Sequence, residues 1–178
     1  YSIGNIETNN GSNIGGLVGS IVGDKLSTIV NNYSLANVSG NQNIGGIIGD
    51  SITSNLLVEK SYYTGKVSGN NFIGGIIGSS QSGENININS VINIGKVIGQ
   101  EDNNIGPISG NNSSNVNGYY VYEPINQTNL FGNKISKNEL SNNNWWNELG
   151  FDMNWDTSTV LNNLTPRLFS NPGKVFDF

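Results

Sequence analysis

The groups able to do chemistry in this chain are few, and their types narrow that chemistry at once. Among 178 residues there is no His and no Cys. Imidazole bases, Ser-His and Cys-His nucleophile pairs, H-E-x-x-H zinc sites, thiolate clusters and disulfides are therefore excluded. What remains is carboxylate. Glu148, Asp152 and Asp156 lie in one short stretch, and a pair of such groups could act as acid and base on a glycosidic bond. The plainer reading is surface acids around a helix end, since the rest of the chain lacks clustered acids facing Lys or Arg. Asp24 and Asp50 follow a glycine motif in two places, but Ser79 stands at the third. One carboxylate per repeat is too few for calcium. Accordingly no catalytic, cofactor or metal residue is assigned within this segment. Trp145, Trp146 and Trp155, with Tyr119, Tyr120 and Tyr122, could form a sugar-stacking platform, although burial is the commoner fate of such rings. Adjacent Trp145 and Trp146 cannot both face inward, so one of them is the better contact candidate.

These groups stand on an uncommon background. The chain has 24 Gly and 34 Asn but only 12% charged residues, so its polar surface is built from amides and hydroxyls. The net charge of −5, with eight Lys and Arg scattered singly, argues against a nucleic-acid or anionic-membrane partner. No apolar run approaches the ~20 residues that span a bilayer, so membrane insertion is not expected. The start at Tyr1, without Met or a signal segment, reads as an excised piece of a longer protein.

Repeats must be sought before such a composition is called disordered. IGGLVG, from Ile14 through Gly15 and Gly16 to Gly19, returns from Ile44 through Gly45 and Gly46 to Gly49. It recurs from Ile73 through Gly74 and Gly75 to Gly78, and decays to IGPISG at Ile105 to Gly110. The steps are 30, 29 and 32 residues. A second block, NYSLANVSG, SYYTGKVSG and VINIGKVIG, runs in phase and stacks Ile6, Val38, Val67 and Val97 in one column. Gly4, Ala36, Gly65 and Gly95 form a small-residue column beside it. Upstream columns are Ser27, Leu56 and Ile86; Ile29, Val58 and Ile88; and Tyr33, Tyr62 and Ile92. INININSVI, from Ile86, alternates apolar with amide, the period of a strand with one buried face.

A unit of this length cannot bury its apolar face alone, and it is too short for a propeller blade. The expected fold is all-β, a parallel β-helix with about 30 residues per coil. The paired glycines are expected to supply tight corners or positive φ, and Asn to supply left-handed bends. Strict alternation puts Ile14, Gly16 and Val18 on one face and Leu17 on the other. Either the glycines break parity or both faces are covered.

IGGLVG followed by the Tyr-Ser-x-x-x-Val-Ser-Gly block resembles the GLUG motif, a repeat of bacterial surface proteins. It occurs in β-helical regions of IgA1-specific zinc metallopeptidases and large adhesins. The resemblance covers roughly residues 1 to 120 and implies a right-handed helix on a secreted or cell-surface bacterial protein. For the metallopeptidases it implies a zinc catalytic domain elsewhere in the parent. The expected role is a non-catalytic scaffold or substrate-positioning module, with adhesin stalk or binding unit, and polysaccharide-active enzyme, as alternatives. Partners would be a host glycoprotein or glycan and adjacent domains of the same chain.

From about Tyr119 the glycine repeat stops and aromatics gather, so the β-helix is placed at 1–118 and a small C-terminal cap at 119–178. Ser136 and Glu139, with Ile135 and Leu140, have the spacing of a capping box with a hydrophobic staple. This predicts one or two short helices within 136–149, ended by Gly150 in the left-handed region. Trp146 and Leu149 would face the last coil, and Trp155, Val160, Leu164 and Leu168 would extend that contact. GFDMNWDTSTVLNNLTPRL also resembles the closing segment after GLUG arrays.

Overall fold

A computed structural model describes residues 1–53, 55–80, 85–100, 104–111, 115–126, 128–129, 131–160 and 165–168. Leu164, Phe176 and Phe178 lie outside the described residues. Two compact units result, 1–134 and 135–178.

The first unit is a parallel β-solenoid of about four turns. Its first coil carries β1 (Asn5–Glu7), β2 (Ser12–Gly15), β3 (Val18–Gly23), β4 (Ser27–Val30) and β5 (Tyr33–Ser34). The second carries β6 (Asn37–Ser39), β7 (Gln42–Gly45), β8 (Ile48–Thr53) and β9 (Asn55–Tyr63). The third carries β10 (Lys66–Ser68), β11 (Asn71–Gly74), β12 (Ile77–Ser80) and β13 (Asn85–Asn93). Then follow β14 (Lys96–Ile98), β15 (Ile105–Gly106), β16 (Asn115–Tyr120) and β17 (Asn133–Lys134). Equivalent strands pair in parallel as four sheets, in the orders β1-β6-β10-β14, β2-β7-β11-β15, β3-β8-β12 and β4-β9-β13-β16-β17.

Register follows the sequence columns. Ile6 pairs with Val38, Val38 with Val67 and Val67 with Val97. Ile14, Ile44, Ile73 and Ile105 form a second continuous column. In the columns of Val38 and Val67 and of Ile44 and Ile73, each interior side chain of the middle coils is sealed by like residues above and below, and full burial of such a side chain contributes roughly 1.5–3 kcal/mol.

The glycines meet one half of the expectation, sitting at or beside a tight corner, but not the other. None of Gly15, Gly16, Gly19, Gly45, Gly46, Gly49, Gly74, Gly75 or Gly78 has a left-handed φ. They are needed because backbones meet. A Cβ at Gly45 would collide with the Ile48 carbonyl, and one at Gly49 with the backbone of Asn13 and Ile14 in the preceding coil. The chain thus folds back sharply between β7 and β8, and the abutting strands leave room for hydrogen only. Left-handed φ is carried instead by the residue before the Ile column: Asn13 (58°), Asn43 (56°), Phe72 (55°) and Asn104 (32°). Asn tolerates this region better than most residues, which is one structural use of the amide content.

Parity is broken in two places. At the fold-back, Ile47 and Ile48 are both fully buried, because the strand stops at Gly45 and restarts at Ile48. In the fourth sheet, Asn31, Lys60 and Ser90 take left-handed φ of 56°, 48° and 50° and shift the alternation by one. The interior cluster therefore takes Tyr63 and Val91, while the stacked column of Tyr33, Tyr62 and Ile92 lies outside it.

The boundary at 118 also moves. Asn115–Tyr120 pairs along β13 from Asn87 to Asn93, and β17 pairs with Tyr119 and Tyr120. Residues 119–134 therefore belong to the array, since Tyr119 continues the column through Tyr62 and Ile92 without needing the glycine motif.

The second unit holds α1 (Lys137–Leu140) and α2 (Asn143–Glu148), followed by the antiparallel pair β18 (Trp155–Asp156) and β19 (Arg167–Leu168). The Glu139 carboxylate accepts from the Ser136 backbone N–H (2.7 Å) and hydroxyl (3.0 Å), fixing the start of α1. The Asn142 side chain accepts from Asn144 N–H at 3.0 Å to begin α2. Gly150, with φ of 84°, ends that helix in the left-handed region as its position required. Trp146 is fully buried, its indole N–H donating to the Leu140 carbonyl at 2.8 Å and its ring meeting Phe151 edge-on.

Candidate functional site

Two of the carboxylates named from sequence have local partners. Asp152 accepts from the Met153 backbone N–H at 2.6 Å. Asp156 accepts from the Ser158 hydroxyl and backbone N–H and is paired with Arg167 at 3.1 Å. Hydrogen bonding from Ser158, with a smaller contribution from Arg167, holds the Asp156 carboxyl below the usual carboxylate range. It is a structural acid that ties the turn after β18 to β19. Because its folded pKa is depressed, its stabilisation is complete above the unfolded value of ~3.9 and is lost as pH falls through the folded pKa. The second unit is thus expected to lose stability below about pH 4, and Asp156→Asn to flatten that part of the profile in urea titrations at several pH values. Among the described residues no group of three His, Cys, Asp or Glu side chains comes together. Asp50 is buried and aligned in register with Ser20 and Ser79, so its column carries one carboxylate across the three coils.

Two of the three tryptophans are buried. Trp146 and Trp155 are 0% and 2% exposed and enclose Phe151 between them, with ring centroids 5.0 Å apart on each side. They cannot be contacts for a ligand, because their faces are already covered by the unit's own core. Trp145 is half-buried and meets Trp146 edge-on at 5.3 Å.

A further surface feature is not one that charged or aromatic groups point to. Along the fourth sheet, an open groove of about 520 Å³ is lined by the outward Leu57, Asn87, Asn89, Asn115 and Asn117 together with Ile88 and Val116. Register places Leu57, Asn87 and Asn115 in one column and Glu59, Asn89 and Asn117 in the next. In the second column Asn117 donates to Asn89 at 2.9 Å and Asn89 to Glu59 at 3.3 Å. Asn87 and Asn115 are exposed and make no side-chain hydrogen bond among the described residues. Successive coils space them by ~4.8 Å. Each amide can donate and accept at once, a chemistry suited to neutral hydroxyl-rich ligands. The alternation of INININSVI was the available signal, since the Asn positions of a one-sided strand must face out.

Comparison of this chain with protein-family models, curated proteins and solved structures finds no match.

A second groove lies at the first-to-second-sheet corner, where Ser39 and Ser68 with Gly40, Gly69 and Gly99 line a shallow open space of about 320 Å³. It carries no titratable side chain. Among the described residues, no helix is long and apolar enough to cross a membrane.

Proposed function

We propose that this chain is a non-catalytic β-helical module of a secreted or cell-surface bacterial protein, serving as a rigid scaffold or substrate-positioning surface. The observation supporting it is the unbroken register of like residues through successive coils, Val38 on Val67 on Val97 and Ile44 on Ile73 on Ile105. Each coil contacts its neighbours through continuous apolar columns and the main-chain bonds of parallel sheets, so the array resists bending and holds what is attached to it at a set distance. Read with the IGGLVG motif and its resemblance to GLUG repeats, this favours a parent of the IgA1-specific zinc metallopeptidase type, with the zinc chemistry in another domain and no cofactor here. The partner would be a host glycoprotein such as an immunoglobulin.

The exposed amides of Asn87 and Asn115, which make no side-chain hydrogen bond among the described residues, favour a second reading, the glycan-contacting part of an adhesin stalk. The two readings separate on the gene: an H-E-x-x-H segment encoded in the same open reading frame supports the first, and its absence from the complete frame supports the second. The purified chain is expected to be inert toward polysaccharides in reducing-end and lyase assays. Turnover that survives chelation of zinc would overturn both readings and make the chain a polysaccharide-active enzyme.

A further inference from the structure

The first coil terminates all four sheets on the same side. In each sheet order β1, β2, β3 and β4 stand at one end and are hydrogen-bonded to the second coil only. Its core positions are correspondingly half-covered. Ile6, Val18 and Ile29 remain partly exposed, whereas their register partners Val38, Ile48 and Val58 are at most 1% exposed. Tyr1, 55% exposed, begins a stack that continues through Tyr33 and Tyr62 at 5.0 and 5.1 Å with planes 9° apart.

A polar signal points the same way. Asn37 donates through Nδ2 to Asn5 Oδ1 (3.1 Å), Asn43 to Asn13 (2.7 Å), Asn70 to Asn41 (2.8 Å) and Asn117 to Asn89 (2.9 Å). In each case the later coil donates to the earlier one. The ladders therefore reach the first coil with the Nδ2 donors of Asn5 and Asn13 lacking an acceptor among the described residues.

We propose that the open face of the first coil is a docking surface for one further β-coil of the same repeat length, parallel and in register. That coil sets apolar side chains over Ile6, Val18 and Ile29 and an amide or carboxylate oxygen over Asn5 and Asn13. The inference continues the interface already formed between the first and second coils, and it does not depend on what the parent protein does. A second copy of this chain is the poorer occupant. A two-fold axis would bring the edges together antiparallel and oppose Asn donors to the same donors, whereas a parallel coil presents their oxygens.

The test extends the full chain with a copy of residues 37–61 joined directly ahead of Tyr1, so that Tyr1 takes the place Tyr62 has after that segment. The control carries the same extension with the copied Val38, Ile48 and Val58 each changed to Ser. Amide exchange at residues 5–30 is expected to slow at least ~tenfold relative to both the unextended chain and the control, with exchange at residues 55–80 unchanged. Unchanged exchange at residues 5–30 in the extended chain overturns the proposal. Sedimentation of the unextended chain is expected to show a monomer; a dimer whose protection falls on residues 5–30 overturns it too, by making a second copy the occupant.

Discussion

Gly46→Val is expected to lower the stability of the array by about 3 kcal/mol or more, measured by urea denaturation. The reason is not backbone freedom. Gly46 sits outside the left-handed region, but a Cβ there would collide with the Gly75 carbonyl of the next coil on one side and the Tyr63 ring on the other. Neither obstacle can yield. The Gly75 carbonyl belongs to the main chain of a stacked coil, and the ring is fully buried. Trimming the ring should not rescue the variant, so Tyr63→Ser in the Gly46→Val background is expected to be no more stable than Gly46→Val alone. Gly75→Val should behave alike, because its Cβ would meet the Pro107 carbonyl and Asn93. Gly23 supplies the contrast. It has φ of 143° and open space where a Cβ would stand, so Gly23→Ala should cost only the backbone strain, about 1 kcal/mol. Equal losses at Gly23 and Gly46 would refute the close-approach account.

That contrast also marks where reading the chain succeeded and where it stopped. The columns were legible because a solenoid stacks equivalent positions: once IGGLVG recurred, Ile14 had to lie over Ile44, and it does. Helix capping was legible because Ser136, Glu139 and Gly150 act through their immediate neighbours. The role of the glycines was not, since φ and close approach leave the same residue in a sequence and only the packed coils distinguish them. For the same reason Asn13 and Asn43 could be named as bend formers in general but not as the particular corner residues. The shift of alternation at Lys60 and Ser90 was hidden because neither residue favours left-handed φ; the neighbouring coils impose it. Burial of Trp146 and Trp155 agrees with the commoner fate expected of such rings, but which of Trp145 and Trp146 turns inward was not legible. Ring chemistry is identical for a sugar platform and a core, and the burial of Trp146 depends on Phe151 and Leu140, which only the fold brings around it. The groove at Asn87 and Asn115 depends on adjacency across coils, so the outward Asn positions were predictable individually but not as a pair.

Tyr63 combines the column code with a polar requirement, and its variants should separate the two. The interior positions Ser34, Tyr63, Asn93 and Tyr120 follow one another through the coils, and Gly16, Gly46 and Gly75 face the first three. Each missing Cβ makes room for the side chain opposite, and Tyr63 is the largest of those three. Its ring is fully buried and its hydroxyl donates to the Ala36 carbonyl at 2.9 Å. Tyr63→Ala removes the ring from a site whose walls are main chain and cannot collapse inward, so a loss of about 4 kcal/mol is expected. Tyr63→Phe keeps the ring and leaves the buried Ala36 carbonyl without that donor, for a loss of about 1–2 kcal/mol. Burial pushes the phenol far above its ordinary pKa. A folded pKa above the unfolded value means that the native state keeps the proton longer, so stability is complete below pH ~10 and falls as pH rises beyond it. The alkaline limb of the stability profile should therefore be shallower in Tyr63→Phe than in the parent chain. Parallel limbs, or a Tyr63→Ala loss no greater than that of Tyr63→Phe, would show that the ring is not what fills the space opposite Gly46.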